Sequence, residues 1–449
     1  MATRALPRRT APPHSRAHFA IAAERRALAG TLALGGLVAS VALLALATAA
    51  SPTSLVSTYR TMPHYFPAWL AGPLHAIGLA SSAGLREGAV IAFCAFYAVA
   101  LRCAGDLSAR RLSIAIVLAH LAALLAPPLL SGDVFGYVGF ARLEVLHGLN
   151  PYLSSASAAP GDAIHPLLGW TTVTTPYGPL FTLFSEALVP LGIAGAVWTF
   201  KALAALTSLA TVALVWRLAA RLGSSPRTAI AFYGLNPLVI VFAVAGAHNE
   251  TLFGLLIAAG ALSLIGGAEV RGGIALVGAT AIKASAGLVL PFALLGAQRR
   301  RRAATAVAVA LAAALAVGMA AFGPHLASLT GAWLDQQHQV AGHSVPSQVS
   351  KLLGLGALDA GVRAGFLVAF GVAVAALLWR TWRGASWLDC YGWATLALLA
   401  ASAWLWPWYG LWALLPASIS SNRRLRAVTL GACAYLVAIK VLVSRPLLG

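Results

Sequence analysis

From Ala27 to the C-terminus, apolar stretches of about 20 residues follow one another with short polar breaks between them, each long enough to cross a bilayer as a helix. Inside a bilayer the backbone polar groups must be satisfied within helices or a closed barrel, so this recurrence leaves the chain few options. Of its 449 residues 60% are hydrophobic and 10% charged, and no polar stretch is long enough for a separate soluble domain. The sequence therefore reads as an all-α, polytopic membrane protein. A basic tail, residues 1–26, precedes a single multi-helix domain over residues 27–449.

The formal charge of +19 would suit a nucleic-acid partner if the bases lined one polar face. Instead they form short clusters between apolar runs, which excludes that partner and makes them orientation signals. The tail carries Arg4, Arg8, Arg9, Arg16, Arg25 and Arg26. Later clusters are Arg102/Arg110/Arg111, Arg217/Arg221/Arg227, Arg299 to Arg302, Arg380/Arg383 and Arg423/Arg424/Arg426. Placing all of them in the cytoplasm predicts roughly 13 transmembrane helices, with the N-terminus inside. The first run, Ala27–Ala50, ends in a signal-like "ATAAS", but about 23 apolar residues exceed a signal core and predict an uncleaved span.

Further spans are expected at Val90–Ala104, Leu112–Leu130, Val197–Trp216, Thr228–Ala245, Thr251–Gly267, Ala303–Phe322, Val362–Trp379, Asp389–Leu405, Tyr409–Ile419 and Val428–Val443, with a short interfacial helix near Leu180–Leu191. The apolar piece between Arg271 and Arg299 is too short to cross twice, so a break at Lys283-Ala284-Ser285 is predicted to separate two short helices and expose Lys283 in a cavity. Outer loops then cover about residues 131–175 and 323–359. Asp133, Glu144, Asp162, Glu250 and Asp335 all fall on the outer side, with His147, His165, His248, His338 and His343. No inverted repeat of the kind many transporters carry is visible. Cys94, Cys103, Cys390 and Cys433 lack CxxC spacing and read as small buried hydrophobes.

Four segments put polar or aromatic chemistry at span ends or breaks. Asp133 in "SGDVFGY" can cap the helix that follows it, or stand free as a base. Tyr137, Phe140 and Arg142, at helical spacings after it, fit the inner face of an interfacial helix. "AGAHNET" places His248, Asn249 and Glu250 where a span turns back, as turn formers or as ligands. Lys283 in "AIKAS" either snorkels or meets a fixed anion, an ammonium at a helix centre costing about 2.5–3.5 kcal/mol. "WLWPWYG", with Trp404, Trp406, Trp408 and Tyr409, is an interfacial belt or the wall of a site. Asp335, His338 and His343 read as a solvated loop, and no metal or other cofactor is expected. An outward carboxylate, an ammonium, an imidazole and aromatic walls suit a lipid-linked phosphate substrate, with proton transfer to the acid and charge neutralisation at the phosphate.

The ordered set "SGDVFGYVGFARLEVLHGLNPY", "TTPYGPLF", "AGAHNETLFGLL", "AIKASAGLVLPFAL" and "WPWYGLWALLPA" resembles the membrane GT-C glycosyltransferases that use polyprenyl-phosphate sugars, and most of all the polyprenyl-phosphomannose-dependent α-1,6-mannosyltransferases that build lipomannan cores in the cell envelope. The resemblance runs from Leu112 to Pro416. It implies a GT-C-like fold with outer-face interfacial helices and an inverting, extracytoplasmic transfer of mannose, without a metal, from a polyprenyl-phosphate donor to a glycan or glycolipid acceptor. It also implies Asp133 as general base, and His248, Asn249, Glu250 and Lys283 around the donor phosphate; Arg142, on the helix after Asp133, is read as a further donor phosphate or sugar ligand. From the residues themselves, Tyr137, Tyr177, Trp406 and Tyr409 are read as the aromatic wall for lipid or sugar. The turn reads His-Asn-Glu where the family has His-Asn-Asp, and alanine rather than proline follows Lys283. A transporter or flippase for an anionic lipid-linked substrate, binding through Lys283 and His248 without chemistry, is the competing class. An assembly partner for another membrane enzyme is a third.

Overall fold

A computed structural model describes residues 13–443 apart from 51, 59–61 and 63. Arg4, Arg8 and Arg9 of the basic tail lie outside the described residues. The described chain is helical throughout, its extended pairing limited to a bridge between Val56 and Leu129. Five helical stretches are long and apolar enough to span a membrane: Ile21–Ala49, Ala83–Cys103, Pro179–Arg221, Arg300–Gln336 and Ala360–Trp382. A sixth, Pro226–Gly234 with Leu238–Val244, is bent by 43°. Other expected spans form helices below that length, among them Ala109–Leu125, Glu250–Ile265 and Trp387–Ala401. The interfacial helix expected near Leu180 instead continues into the span at Gly192–Arg221 through a short 3-10 turn.

Pro13–Ala49 packs on Ala83–Cys103 and Ala109–Leu125, while Glu250–Ile265 lies between Gly192–Arg221 and Glu269–Ile282. One contiguous apolar core runs through these helices from Ala33 to Val441. Ala360–Trp382, by contrast, keeps its large apolar side chains Leu367, Val368, Val372 and Trp379 exposed. In water such a face would be a liability, but hydrocarbon suits it. The four cysteines are free thiols, three of them buried.

The two ends of this bundle differ in chemistry. Glu250–Ile265 begins at the His-Asn-Glu turn and ends where Arg221 donates to Leu262 O. Glu269–Ile282 begins beside the Arg299 amide, which donates to Glu269, and ends at Lys283. At 1.5 Å per residue its 14 residues separate those ends by about 20 Å. Arg26–Asp106 and Arg227–Leu107 O tie further basic segments together.

The break at Lys283 forms as the sequence predicts. Lys283 is extended, φ −150° and ψ 123°, between Glu269–Ile282 and a 3-10 turn leading into Val289–Gly296. Gly178 locks this break from outside: its N–H donates to Ile282 O, and a Cβ there would sit 2.1 Å from Ala281 O. Glycine is the residue that allows such backbone contact.

Candidate active site

Asp133 opens the helix Asp133–His147, yet its carboxylate does not cap it. The N-cap is Gly132, no side chain accepts there, and the Asp133 N–H donates to Ser131 Oγ. The capping alternative is thereby removed. The carboxylate instead lines a cavity of about 880 Å³ and stands 3.6 Å from His248 Nδ1. Burial, opposed by Lys283 and reinforced by Glu250, pushes its pKa up to about 6.

Two strained turns fix this pair. Leu130 and Ala247 are the non-glycine residues with φ in the left-handed region among the described residues, at 61° and 57°. One precedes Asp133 and the other precedes His248. Leu129 N–H donates to Ala245 O, so the two turns are joined directly. Lys201, fully buried, donates to Ala245 O at 2.8 Å and Ala123 O at 3.1 Å, placing one amine donor on two carbonyls near helix ends.

Lys283 finds the fixed anion that its depth requires. Its Nζ donates to Glu250 Oε1 at 2.5 Å. The ammonium also faces the rings of Tyr409 at 5.2 Å and of Tyr177 and Trp412 at 5.9 Å. The snorkelling alternative therefore falls away. Glu250 Oε2 is in turn 3.6 Å from His248 Nδ1, giving one array: Asp133, His248, Glu250, Lys283.

The array has a front and a back. Asp133, Tyr177, Lys283, Trp406 and Tyr409 line the cavity. His248, Asn249 and Glu250, at most 4% exposed, stand behind that wall. Tyr137 is also behind it, accepting the Asn249 N–H and packing edge-on against Tyr177 and Phe181. Neither ring nitrogen of His248 has a hydrogen-bond partner, nor do the Asn249 amide atoms or Glu250 Oε2.

Arg142 is placed elsewhere. Its Nε donates to Asp162 Oδ1 at 2.8 Å, His147 Nε2 lies 2.7 Å from Asp162 Oδ2, and neither base reaches the cavity lining. Burial raises the Asp162 carboxyl, but bonds from Arg142, the Ile164 amide and His147 outweigh it and hold it below its ordinary value. This trio secures the outer loop. Gly148, φ +63°, ends the Asp133 helix in the left-handed turn its sequence allows. Asn150 acts through its side chain, donating to Phe322 O and accepting from Tyr152 N–H.

The tryptophans build a continuous wall rather than a belt. Trp170 meets Trp404 edge-on at 5.5 Å, Trp404 meets Trp406 at 5.1 Å, and Trp406 stacks on Trp408 at 5.2 Å. Trp408 stacks on His248 at 4.1 Å, so the ladder leads from the loop to the array. Asp335 lines the cavity, whereas His343 bonds to Leu405 O. Among the described residues no group of three or more His, Cys, Asp or Glu is placed to hold a metal ion. Lys440, Trp333 and Trp412 also line the cavity, and sequence reading did not single them out as site residues.

Fold and site together define a helical membrane protein with a cavity that combines a carboxylate, ammonium groups and stacked rings. A sequence profile described as "Alpha-(1->6)-mannopyranosyltransferase, N-terminal domain" matches residues 32–299, and one described as "MptB C-terminal domain" matches 339–443. The chain belongs to this alpha-(1->6)-mannopyranosyltransferase family. It is similar to alpha-(1->6)-mannopyranosyltransferase A of Mycobacterium tuberculosis, 37% identical over 176 residues, 38% of this chain and 33% of the relative. The Corynebacterium glutamicum protein of the same name is 29% identical over 171 residues, 37% of this chain and 35% of the relative. Those matches span about a third of the relatives' length. Alpha-(1->6)-mannopyranosyltransferase B of C. glutamicum is 27% identical over 360 residues, 70% of this chain and 59% of the relative. No solved structure matches significantly.

Proposed function

We propose that the protein is a GT-C-like mannosyltransferase that moves mannose from a polyprenyl-phosphate donor to a hydroxyl of a glycan or glycolipid, forming an α-1,6 linkage with inversion. The observation that carries this reading is the Asp133 carboxylate, freed from helix capping, sharing one aromatic cavity with the Lys283 ammonium. The acceptor oxygen bonds to the sugar's anomeric carbon as the bond from that carbon to the phosphate oxygen breaks. Asp133 takes the hydroxyl proton, and Lys283 offsets charge on the departing phosphate. Glu250, behind the wall, holds Lys283, and His248 backs Asp133 at 3.6 Å; neither lines the cavity to touch the donor.

The arginine clusters set the orientation: the basic end faces the cytoplasm and the cavity opens on the extracytoplasmic side. Roughly 13 crossings then require the shorter helices to span as well, which neighbouring helices permit where a polar cavity thins the apolar path. The polyprenyl tail rests against the bilayer while its phosphate and sugar enter the cavity.

The test is transfer of labelled mannose from synthetic polyprenyl-phosphate mannose to short α-mannosides by purified protein. Asp133→Asn keeps the size and removes the base. General-base catalysis contributes about 10²–10⁴-fold, so kcat should fall by that factor with KM little changed. Equal turnover in a folded Asp133→Asn variant removes Asp133 from its role, and absence of transfer by the native chain removes the reaction.

A further inference from the structure

The cavity has a second polar wall that the transfer chemistry leaves unused. It comes from the helix Leu329–His338 and the residue after it, where Trp333, Asp335, Gln336 and Gln339 line the same cavity as Asp133 and Lys283. Positions three and four apart share one helix face. Leu334, 63% exposed, lies off that face and does not line the cavity. Sequence spacing alone suggests a solvated loop for Asp335; the structure makes it part of this wall.

The wall is anchored. Trp333 Nε1 donates to Pro176 O at 3.1 Å, Leu326 and Leu329 form a small apolar core with Tyr152 and Phe322, and Asn150 donates to Phe322 O. Its near end adjoins the reacting groups, since Pro176 precedes Tyr177, whose ring faces Lys283. From Trp333 the helix runs about 8 Å to its end at His338, with Gln339 just beyond, further than a single pyranose spans. The cavity, about 880 Å³, lies toward the upper end of the range of about 300–1,000 Å³ for small-ligand sites.

The chemistry of this wall suits a neutral sugar. The Asp335 carboxylate and the Gln336 and Gln339 amides make no hydrogen bond or ion pair with other described residues. Trp170, 46% exposed, and Trp404 add indole rings at the end of the tryptophan ladder remote from His248. Carboxylates and amides pair with hydroxyls, and indole rings pack on the C–H face of a pyranose, whereas a phosphate would meet a like charge at Asp335.

We infer that this wall is an acceptor subsite, which holds the α-mannoside units behind the one whose hydroxyl reacts at Asp133. The inference rests on the proposed transfer and adds how the acceptor is chosen, by its chain length. Trp333, Asp335 and Gln336 lie between residues 32–299 and 339–443, the two regions that match family profiles, so most of the wall comes from a stretch that neither profile covers.

The experiment uses the purified full chain in detergent with synthetic polyprenyl-phosphate mannose. KM is measured for methyl α-mannoside and for an α-1,6-linked trimannoside, and the ratio of the two is the readout. The native ratio should be about 10- to 100-fold in favour of the trimannoside, the equivalent of a hydrogen bond to a charged group. Asp335→Ala should bring that ratio down about tenfold, and Gln336→Ala, which removes a neutral partner, about threefold. Leu334→Ala, on the same helix but off the wall, should keep it. A native ratio near one overturns the inference. So does an Asp335→Ala variant that weakens both acceptors alike and keeps the ratio, or a Leu334→Ala variant that loses it. Gln336→Ala decides if Asp335→Ala does not fold. Absence of native transfer sinks the enzymatic reading; binding of the two mannosides without donor, measured by saturation-transfer NMR on the same variants, then decides the subsite by the same ratio.

Discussion

Removing Glu250 tests whether the array is held together by the buried ion pair. Glu250 has no exposed side-chain surface and Lys283 only 15%, so Glu250→Ala strands an ammonium where its desolvation is no longer offset. Breaking a buried pair from one side costs about 3–5 kcal/mol. Lys283 keeps the faces of Tyr177, Tyr409 and Trp412 and an edge on the cavity, which puts the expected loss near the lower end, about 3 kcal/mol. Replacing both partners by apolar residues, Glu250→Leu with Lys283→Met, removes the stranded charge and should return stability to within about 1 kcal/mol of native. Relative to Glu250→Ala the double variant should thus recover about 2 kcal/mol. Exposure of Cys103, Cys390 and Cys433 to a thiol dye during unfolding in detergent reports it, since all three are buried. Transfer should be lost in the double variant, because a stable cavity without the Lys283 ammonium cannot support phosphate departure. A Glu250→Ala protein as stable as native, or a double variant no better than Glu250→Ala, would refute the argument.

Three further outcomes follow from the geometry. Gly178→Ala puts a methyl 2.1 Å from the Ala281 carbonyl oxygen, a backbone atom that must move, and the displaced Lys283 break should lower kcat by at least about tenfold in the transfer assay. Arg142→Ala removes a bond to a carboxylate that is 5% exposed; it should destabilise the outer loop by about 2–4 kcal/mol, seen as faster proteolysis within residues 149–175, while KM for donor stays within about twofold. With the Asp133 carboxyl raised to about 6 by burial, the base is ionised above that pH and protonated below it; kcat/KM should therefore rise with pH, fall about tenfold per unit well below 6, and lose this limb in Asp133→Asn.

The elements most legible in the sequence were those where a charge stands in apolar surroundings. Lys283 and Asp133 declared themselves this way, and the need for an anion near Lys283 was met by Glu250, itself in the turn marked by "HNE". Sequence spacing says which residues are unusual but not which side of a wall they occupy, and so His248, Asn249 and Glu250 could be grouped with the site without being seen to lie behind it. Arg142 shared a helix with Asp133, but its partner, Asp162, comes from an irregular loop that periodicity does not place. Lys440 carried the same signal as Lys283, a lone ammonium in an apolar run, and was submerged in the last expected span. Span number was the least legible quantity, because uniformly apolar helices give no end signals and bent or short ones look continuous in sequence.

The strained residues explain why the array sits at the junction of several helices instead of on one of them. A left-handed Leu130 and a left-handed Ala247 each cost about 1–3 kcal/mol, and such conformations persist only where their surroundings over-determine them. Here the surroundings are specific. Leu130 N–H donates to Leu55 O, Ser57 N–H to Pro128 O and Leu129 N–H to Ala245 O, while Lys201 clamps the Ala245 and Ala123 carbonyls from the next helix. Each turn therefore borrows its rigidity from the other, and the 3.6 Å approach of Asp133 to His248 is set by backbone bonds and not by a direct hydrogen bond between the two side chains. A carboxylate held this way is free to exchange its proton with an acceptor in the cavity without moving its support. That is the property a general base needs, and it ties the shape of the fold at residues 129–133 and 245–250 to the chemistry proposed for Asp133.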